Sequence, residues 1–367
     1  MSNNNYIAID LETRGLIDKG IAPDIICYSW ATDHASGVET DITKFWDIVG
    51  DNKIVYHNSS FDNAVLKAHG INVPDYEDTM LLSYCHDPSG EHSLGAWGNK
   101  LTFKKLPKPW EGHYPEEYTP ELEAYCKRDA EVTLVLFNHL MGITNEDALK
   151  LYRDVELPYS LIIQEMESTG MFFNRDEVTQ FHTEVQKELS KIEHEIVSKV
   201  GLIPAKKPKR YKKEHPEYDG KFLGVDDEGY YCYEVLEQFN LNSRHHKAYA
   251  LIHLHGWKPS SFGKDGTPTV SGDILSELSY PLAQDLQRIS KLTKIDSSFV
   301  KPILDYQDEH GFVYGSFNQC VTITGRLSSS QPNLQNIPSR GDMGEKMRSF
   351  VQSPDFENID IVGGDLN

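Results

Sequence analysis

The chain is short of positive charge and of long apolar runs. Its 36 Lys and Arg residues face 56 Asp and Glu residues, a net charge of −20. No run of 18 or more apolar residues occurs, so a membrane-spanning helix is not expected. The opening "MSNNNY" has no basic region leading into an apolar one, which excludes a secretory signal of the usual kind. Cysteine is sparse and scattered: Cys27, Cys85, Cys126, Cys232 and Cys320 show no CxxC spacing. Reduced thiols, an intracellular (cytoplasmic) setting and no zinc site follow as expectations. The adjacent His245 and His246, and the pair His253 and His255, have no matching Cys or His cluster, and read as exposed or hydrogen-bonded side chains.

What is present is acid at informative spacings. Asp10 and Glu12 lie in "YIAIDLET", an apolar strand pattern in which residues two apart share a face. Tyr125 and Asp129 in "YCKRDAEVT" are four apart in a helix-compatible run and share a helix face. Asp62 in "HNSSFDNAVL" follows the expected strand "KIVYH" and opens a helix running from Phe61 to about His69. Hard divalent cations take carboxylate oxygens, and Mg²⁺ keeps positions open for water and phosphate. Two such ions about 4 Å apart stabilise both attacking and leaving oxygens of a phosphodiester displacement.

This ordered set resembles the DEDD family of 3′–5′ exonucleases over about residues 1 to 145. The resemblance implies an RNase H-like α/β fold, a mixed sheet with flanking helices. The family's other branch carries a histidine five residues before the last aspartate. That position is Ala124 here, and Tyr125 fits the tyrosine branch. Asn58, Asp78-Thr79 and "HSLGAWGNKL" agree with the same pattern. The resemblance implies that Asp10, Glu12, Asp62 and Asp129 hold two Mg²⁺ (or Mn²⁺) ions and that Tyr125 orients the attacking water.

A second resemblance begins near residue 239. Asn240, Ser243, Gly256, Trp257, Pro259, Gly266 and Pro268 fill the pattern of the thumb of family A DNA polymerases, the DNA polymerase I group. The helix "LAQDLQRISKLTKIDSSFVKPIL" carries Arg288, Lys291 and Lys294 at three-residue spacing, either a solvated stripe or, as the resemblance implies, a DNA contact. "TITGRLSSSQPNLQNIP" matches the family's palm-opening signature almost residue for residue. There Arg326, Ser328 and Ser329 suit phosphate, while Asn333, Gln335 and Asn336 suit the minor groove, where contacts check shape more than sequence. Arg348 in "MRSF" continues the pattern, and Asp365 in "IVGGD" matches the first palm metal ligand.

The resulting expectation is three regions. Residues 1–145 form the exonuclease domain, and 146–310 a mainly helical thumb. Residues 311–367 form the first part of an α+β palm, incomplete at Asp365. The expected protein is the N-terminal part of a phage-like family A DNA polymerase that proofreads DNA 3′ ends and grips a primer-template. It acts in a bacterium or an infected host cell. It does not polymerise unless a second polypeptide supplies the rest of palm and fingers, and a processivity factor is a further expected partner. The alternatives are an RNA 3′-end-processing DEDD exonuclease and a non-catalytic DNA-binding half of a split polymerase.

Local expectations complete the set. "YEDTMLLSYCH" reads as one helix. "PELEAYCKRDAEVTLVLFNHLM" is a long helix ending at Gly142, and Pro158 divides the next segment into two helices. The stretch 202–235 reads as an irregular insertion. Its basic run "KKPKRYKK" is either a solvated loop or a DNA contact.

Overall fold

β1 (Tyr6–Thr13) is apolar on both faces, and each face is buried in a different core. Ile7, Ile9 and Leu11 join Tyr28, Phe45, Val65 and Leu66 on one side. Ala8 joins Val55, Ala130, Leu134 and Phe137 on the other. In this computed structural model, which describes residues 5–110, 112, 114–338 and 340–353, the chain divides into two units. One runs to Asn174 and resumes at Asp305; the other is Arg175–Leu304.

The first unit continues with β2 (Ile25–Ala31), β3 (Ser36–Glu39), α1 (Phe45–Val49), β4 (Lys53–Tyr56), α2 (Ser59–Ala68), β5 (Tyr76–Asp78), α3 (Thr79–His86), α4 (Leu94–Lys100) and α5 (Pro120–Ile143). The sheet order is β3-β2-β1-β4-β5, with β1, β2 and β3 antiparallel and β1, β4 and β5 parallel. This is the mixed sheet with flanking helices that the sequence implied. β4 pairs only with Tyr6 to Ala8 of β1, so the strand outruns its parallel neighbour before reaching Asp10.

Three local expectations change. Tyr76–Asp78 is a strand, and the helix starts only at Thr79. Asp78 accepts from Met80 N (2.8 Å) and Leu81 N (3.2 Å), capping α3 and ending the strand before it. α5 begins at Pro120, capped by Thr119, but passes through Gly142 and stops at Thr144. Pro158 does not break the chain into two helices. α6 (Glu146–Leu151) passes through a π-helical turn, Tyr152–Glu156, into α7 (Leu157–Thr169), where Pro158 sits in the first turn and needs no N–H partner. β6 (Met171–Phe172) follows.

The second unit opens with α8 (Arg175–Val200), a long amphipathic helix. The next stretch is not irregular. β7 (Leu202–Pro204) pairs with β11 (Leu236–Gln238), and β8 (Lys209–Tyr211), β9 (Phe222–Val225) and β10 (Tyr231–Tyr233) form an antiparallel sheet in the order β8-β10-β9. Alternating Tyr and Cys in "YCY" and the turn "DDEG" between β9 and β10 are the signals that the Lys- and Gly-rich composition masked. α9 (Arg244–His255), α10 (Gly272–Glu277) and α11 (Pro281–Ile295) complete this mainly helical unit. His182 Nδ1 and Gln186 Nε2 of α8 contact the buried Asp296 at 2.6 and 2.7 Å, pinning α8 to the turn after α11.

α12 (Lys301–Tyr306) leads back to the first unit. There β12 (Phe312–Val313) pairs with β6, β13 (Ser316–Asn318) forms a hairpin with β14 (Ser328–Ser330), and α13 (Gly341–Ser349) follows.

Candidate active site

Asp10 and Glu12 share the face of Ala8, the face on which α5 packs. Ser29 Oγ donates to the Cys126 carbonyl at 2.7 Å, fastening α5 across β2. α5 presents Tyr125 and Asp129 from successive turns, both buried. Asp62 comes from the first turn of α2 and accepts from Leu11 N at 2.9 Å, which locks that helix to β1. The entry of α2 is held by Asp78, whose Oδ2 accepts from Ser59 N at 2.6 Å and Oδ1 from Asn58 N at 3.2 Å. One carboxylate thus caps the starts of both α2 and α3. Asn58 there has φ 70°, a left-handed conformation that asparagine tolerates.

The five residues expected from the sequence converge. Burial, then Asp129, Asp62 and Glu12, push Asp10 well above the ordinary carboxylate range. Burial, then Asp129 and Asp62, raise Glu12 to about 8. Burial raises Asp62 to about 7, against the hydrogen bond from Leu11. Burial also raises Asp129, against the ammonium of Lys105. Tyr125 is held above its usual range by burial and by Asp129, so its hydroxyl keeps its proton at neutral pH. Four carboxylates crowded in this way outnumber the one ammonium, Lys105, that is paired with them.

The donor set fits a divalent cation. Ligand atoms of Asp10, Glu12 and Cys126 lie within 4.8 Å of one another. Asp129 Oδ1 is buried without a hydrogen-bond partner, although its other oxygen meets Lys105 Nζ at 2.5 Å. A buried carboxylate oxygen left open beside other carboxylates is the arrangement a hard cation satisfies.

Sequence reasoning missed the loop that covers the site. Lys105 pairs with Asp129 and lies 5.3 Å from the Tyr125 ring. Trp110 packs edge-on against Tyr125 at 5.2 Å, and Lys108 sits over Trp110. "KKLPKPW" held the signal: cations and an aromatic among prolines just before the helix carrying Tyr125.

The expected DNA contacts lie elsewhere. Arg288, Lys291 and Lys294 are exposed on α11, and Arg288 pairs with Glu188 at 2.8 Å. Arg326 is exposed in the β13–β14 loop, and Ser328 is half-buried in β14. Ser329 is buried: its hydroxyl donates to Asn333 Oδ1 (3.0 Å) and accepts from Gln335 N (3.1 Å). Asn333 Oδ1 also accepts from Asn336 N at 3.2 Å. These two side chains therefore shape the loop, which displays Gln335 and Asn336 outward. Arg348 is exposed in the last turn of α13. Asp365 lies outside the described residues.

A five-stranded mixed sheet thus brings together carboxylates from β1, α2 and α5, with Asp62 and Asp129 buried and Asp10 and Glu12 half-buried. Family comparison agrees: residues 1–145 match the 3′-5′ exonuclease family, and residues 222–366 match DNA polymerase family A. The chain is 28% identical over 330 residues to DNA polymerase I of Borreliella burgdorferi, covering 87% of this chain and 32% of that protein. It is 29% identical over 284 residues to the thermostable DNA polymerase I of Thermus aquaticus, covering 76% and 28%. With DNA polymerase I of Chloroflexus aurantiacus it shares 27% over 379 residues, covering 94% and 35%. The chain thus spans about a third of the length of these relatives. Its fold resembles the POL domain of Pol1 from M. smegmatis, solved in complex with DNA primer-template and dNTP. That match has TM-score 0.71 and 19% identity, and covers 96% of this chain and 55% of that one.

Proposed function

We propose that this chain removes nucleotides from DNA 3′ ends as the proofreading exonuclease of a family A DNA polymerase. The observation that carries the proposal is the convergence of Asp10, Glu12, Asp62 and Asp129 with Tyr125 beside an unpartnered carboxylate oxygen. Asp10, Glu12, Asp62 and Asp129 would hold two Mg²⁺ or Mn²⁺ ions. Such ions lower the pKa of bound water and stabilise charge on the leaving 3′ oxygen. The chain's own groups do the rest. Tyr125, protonated and braced by Trp110, orients a water toward the terminal phosphodiester. Lys105 offsets the charge of Asp129 and Asp10. Lys105 and Lys108 also bring positive charge to the mouth of an acidic site that must admit a phosphate backbone. The products are a deoxynucleoside monophosphate and a shortened strand.

Arg326, Gln335, Asn336 and Arg348, with Lys291 and Lys294, are proposed to grip the primer-template; all six are exposed. The proposed partners are a polypeptide supplying fingers and further palm carboxylates, and a processivity factor. Restored primer extension on adding the first would support it. Among the described residues no helix is long and apolar enough to cross a membrane. The proposed setting is the cytoplasm of a bacterium or an infected cell.

The test is digestion of 5′-labelled single-stranded DNA and RNA with and without Mg²⁺. DNA shortened from its 3′ end, and loss of that activity in Asp10→Ala/Glu12→Ala, are expected. Undiminished digestion by the folded double variant would overturn the site. Preference for RNA would favour a 3′-end-processing role.

A further inference from the structure

The antiparallel sheet β8-β10-β9 of the second unit contributes no residue to the nuclease site or the palm-opening loop. Directly paired residues on neighbouring strands share a face. Tyr231 pairs with Tyr211 and Val225, and Tyr233 pairs with Lys209 and, across a bulge, Phe222. One face is therefore aromatic with a lysine at its edge. Its rings touch: Phe222 lies 5.3 Å from Tyr233 and 6.1 Å from Tyr231, and Tyr211 lies 5.9 Å from Tyr233. Tyr233 is buried and the Tyr211 ring is stacked on His215 at 4.4 Å, but Phe222 and Tyr231 keep open surface. Phe222 is 51% and Val225 53% exposed, and Tyr211 and Tyr231 are half-buried.

Charge is segregated around this face. Residues 202–235 hold seven cations and seven acids, but six of the cations fall in Lys206–Lys213 with no acid among them. Two of the six are taken. Lys206 pairs with Asp265 at 2.7 Å. Arg210 points to the other face of β8, where it lies over Tyr230 and pairs with Asp226 and Glu228. Lys207, Lys209, Lys212 and Lys213 are exposed and enter no ion pair among the described residues.

From this juxtaposition we infer that the β8-β10-β9 sheet is a platform for single-stranded DNA, separate from the nuclease site. The half-exposed rings stack bases and the unpaired lysines of 207–213 hold the phosphates. Every base has a π-face, so a stacking platform beside unpaired cations takes a single strand without reading its sequence. A duplex hides those base faces in its stack. In a chain of net charge −20, a neutral segment with its free cations on one side is a local attractor for polyanion.

The experiment uses the whole chain and a fluorescein-labelled oligo-dT, followed by anisotropy in EDTA so that nuclease chemistry is silent. Failure of the nuclease proposal therefore leaves the result readable. Lys209→Ala/Lys212→Ala/Lys213→Ala should weaken binding at least about tenfold and flatten the salt dependence by about 2 in logarithmic slope. Phe222→Ala should weaken it about tenfold with the slope unchanged. Unchanged circular dichroism would show that these exposed substitutions leave the fold intact. Unaltered affinity in the folded lysine variant would overturn the inference. So would an unaltered Phe222→Ala, which would mark a basic patch without stacking. Photo-cross-linking of a 5-iododeoxyuridine oligonucleotide to the unmutated chain gives a second reading: adducts at Phe222, Tyr211 or Tyr231 support the platform, and adducts confined to other regions refute it.

Discussion

Tyr125 and Lys105 flank the same carboxylate, Asp129, and their substitutions should separate cleanly. Tyr125→Phe removes the hydroxyl proposed to orient water, which is not among the proposed metal ligands. Turnover should fall about 10²-fold or more with metal affinity little changed. Equal loss of Mn²⁺ affinity in Tyr125→Phe and Asp129→Ala would reassign the tyrosine as a ligand. Lys105→Ala acts through charge. The ammonium holds down the pKa of Asp129, Asp10 and Glu12, so removing it lets all three rise. The carboxylates must be ionised to bind cations, so the acid limb of the pH–rate profile should move to higher pH. A limb that stays in place would show that Lys105 does not tune the site. The sequence made the five site residues legible because each sits at a fixed offset within one strand or helix. Lys105 and Trp110 reach the site from a loop, where no periodicity ties a side chain to a direction.

At the scale of elements, Asp78 joins two helices through one side chain. Its oxygens cap α3 and hold the start of α2, which carries Asp62. Asp78→Ala should cost about 1–3 kcal/mol of stability, since it leaves donors at two helix starts without their acceptor. Asp78→Asn should recover part of this, because the amide oxygen can still cap. Chemical denaturation measures both, and equal stability of Asp78→Ala and the unmodified chain would refute the shared cap. The sequence marked Asp78 only as part of a resembling motif. It hid the strand-to-helix switch because "YEDTMLLS" is apolar at helical spacing and the capping geometry appears only in three dimensions. The insertion was illegible for a different reason. Its strands are three or four residues long, too short for alternation to outweigh their Lys- and Gly-rich surroundings.

Across the whole molecule, the carboxylate cluster makes stability depend on pH. Glu12 and Asp62 have pKa values of about 8 and 7 in the folded chain, above the roughly 4 of unfolded carboxylates. The folded state therefore holds protons that the unfolded state has released. In chelator, stability should fall as pH rises from about 4.5 through 7 to 8. Mg²⁺ or Mn²⁺ should restore it most at the upper end, where both groups are ionised. Melting temperature against pH, with EDTA and with Mn²⁺, checks this; two parallel curves would mean that the cluster does not bind the cation.

Tyr152 has a consequence for anyone wishing to cut the gene. It is fully buried, accepts from Asp78 N at 2.8 Å and donates to Glu77 at 2.8 Å, yet it lies beyond the residue 145 boundary of the family match. From further along the chain, Gln319 reaches Glu156, Cys320 reaches the Met80 carbonyl, and the Thr322 carbonyl accepts from Tyr84. A fragment ending at 145 would carry away the nuclease residues but abandon the plug beneath their sheet. Extending the excised piece to 174 would retain that plug, and only the uncut chain keeps the clasp at 319–322. Dissection at the border of the family match would thus yield a loosely packed fragment, and dissection past α7 a firmer one.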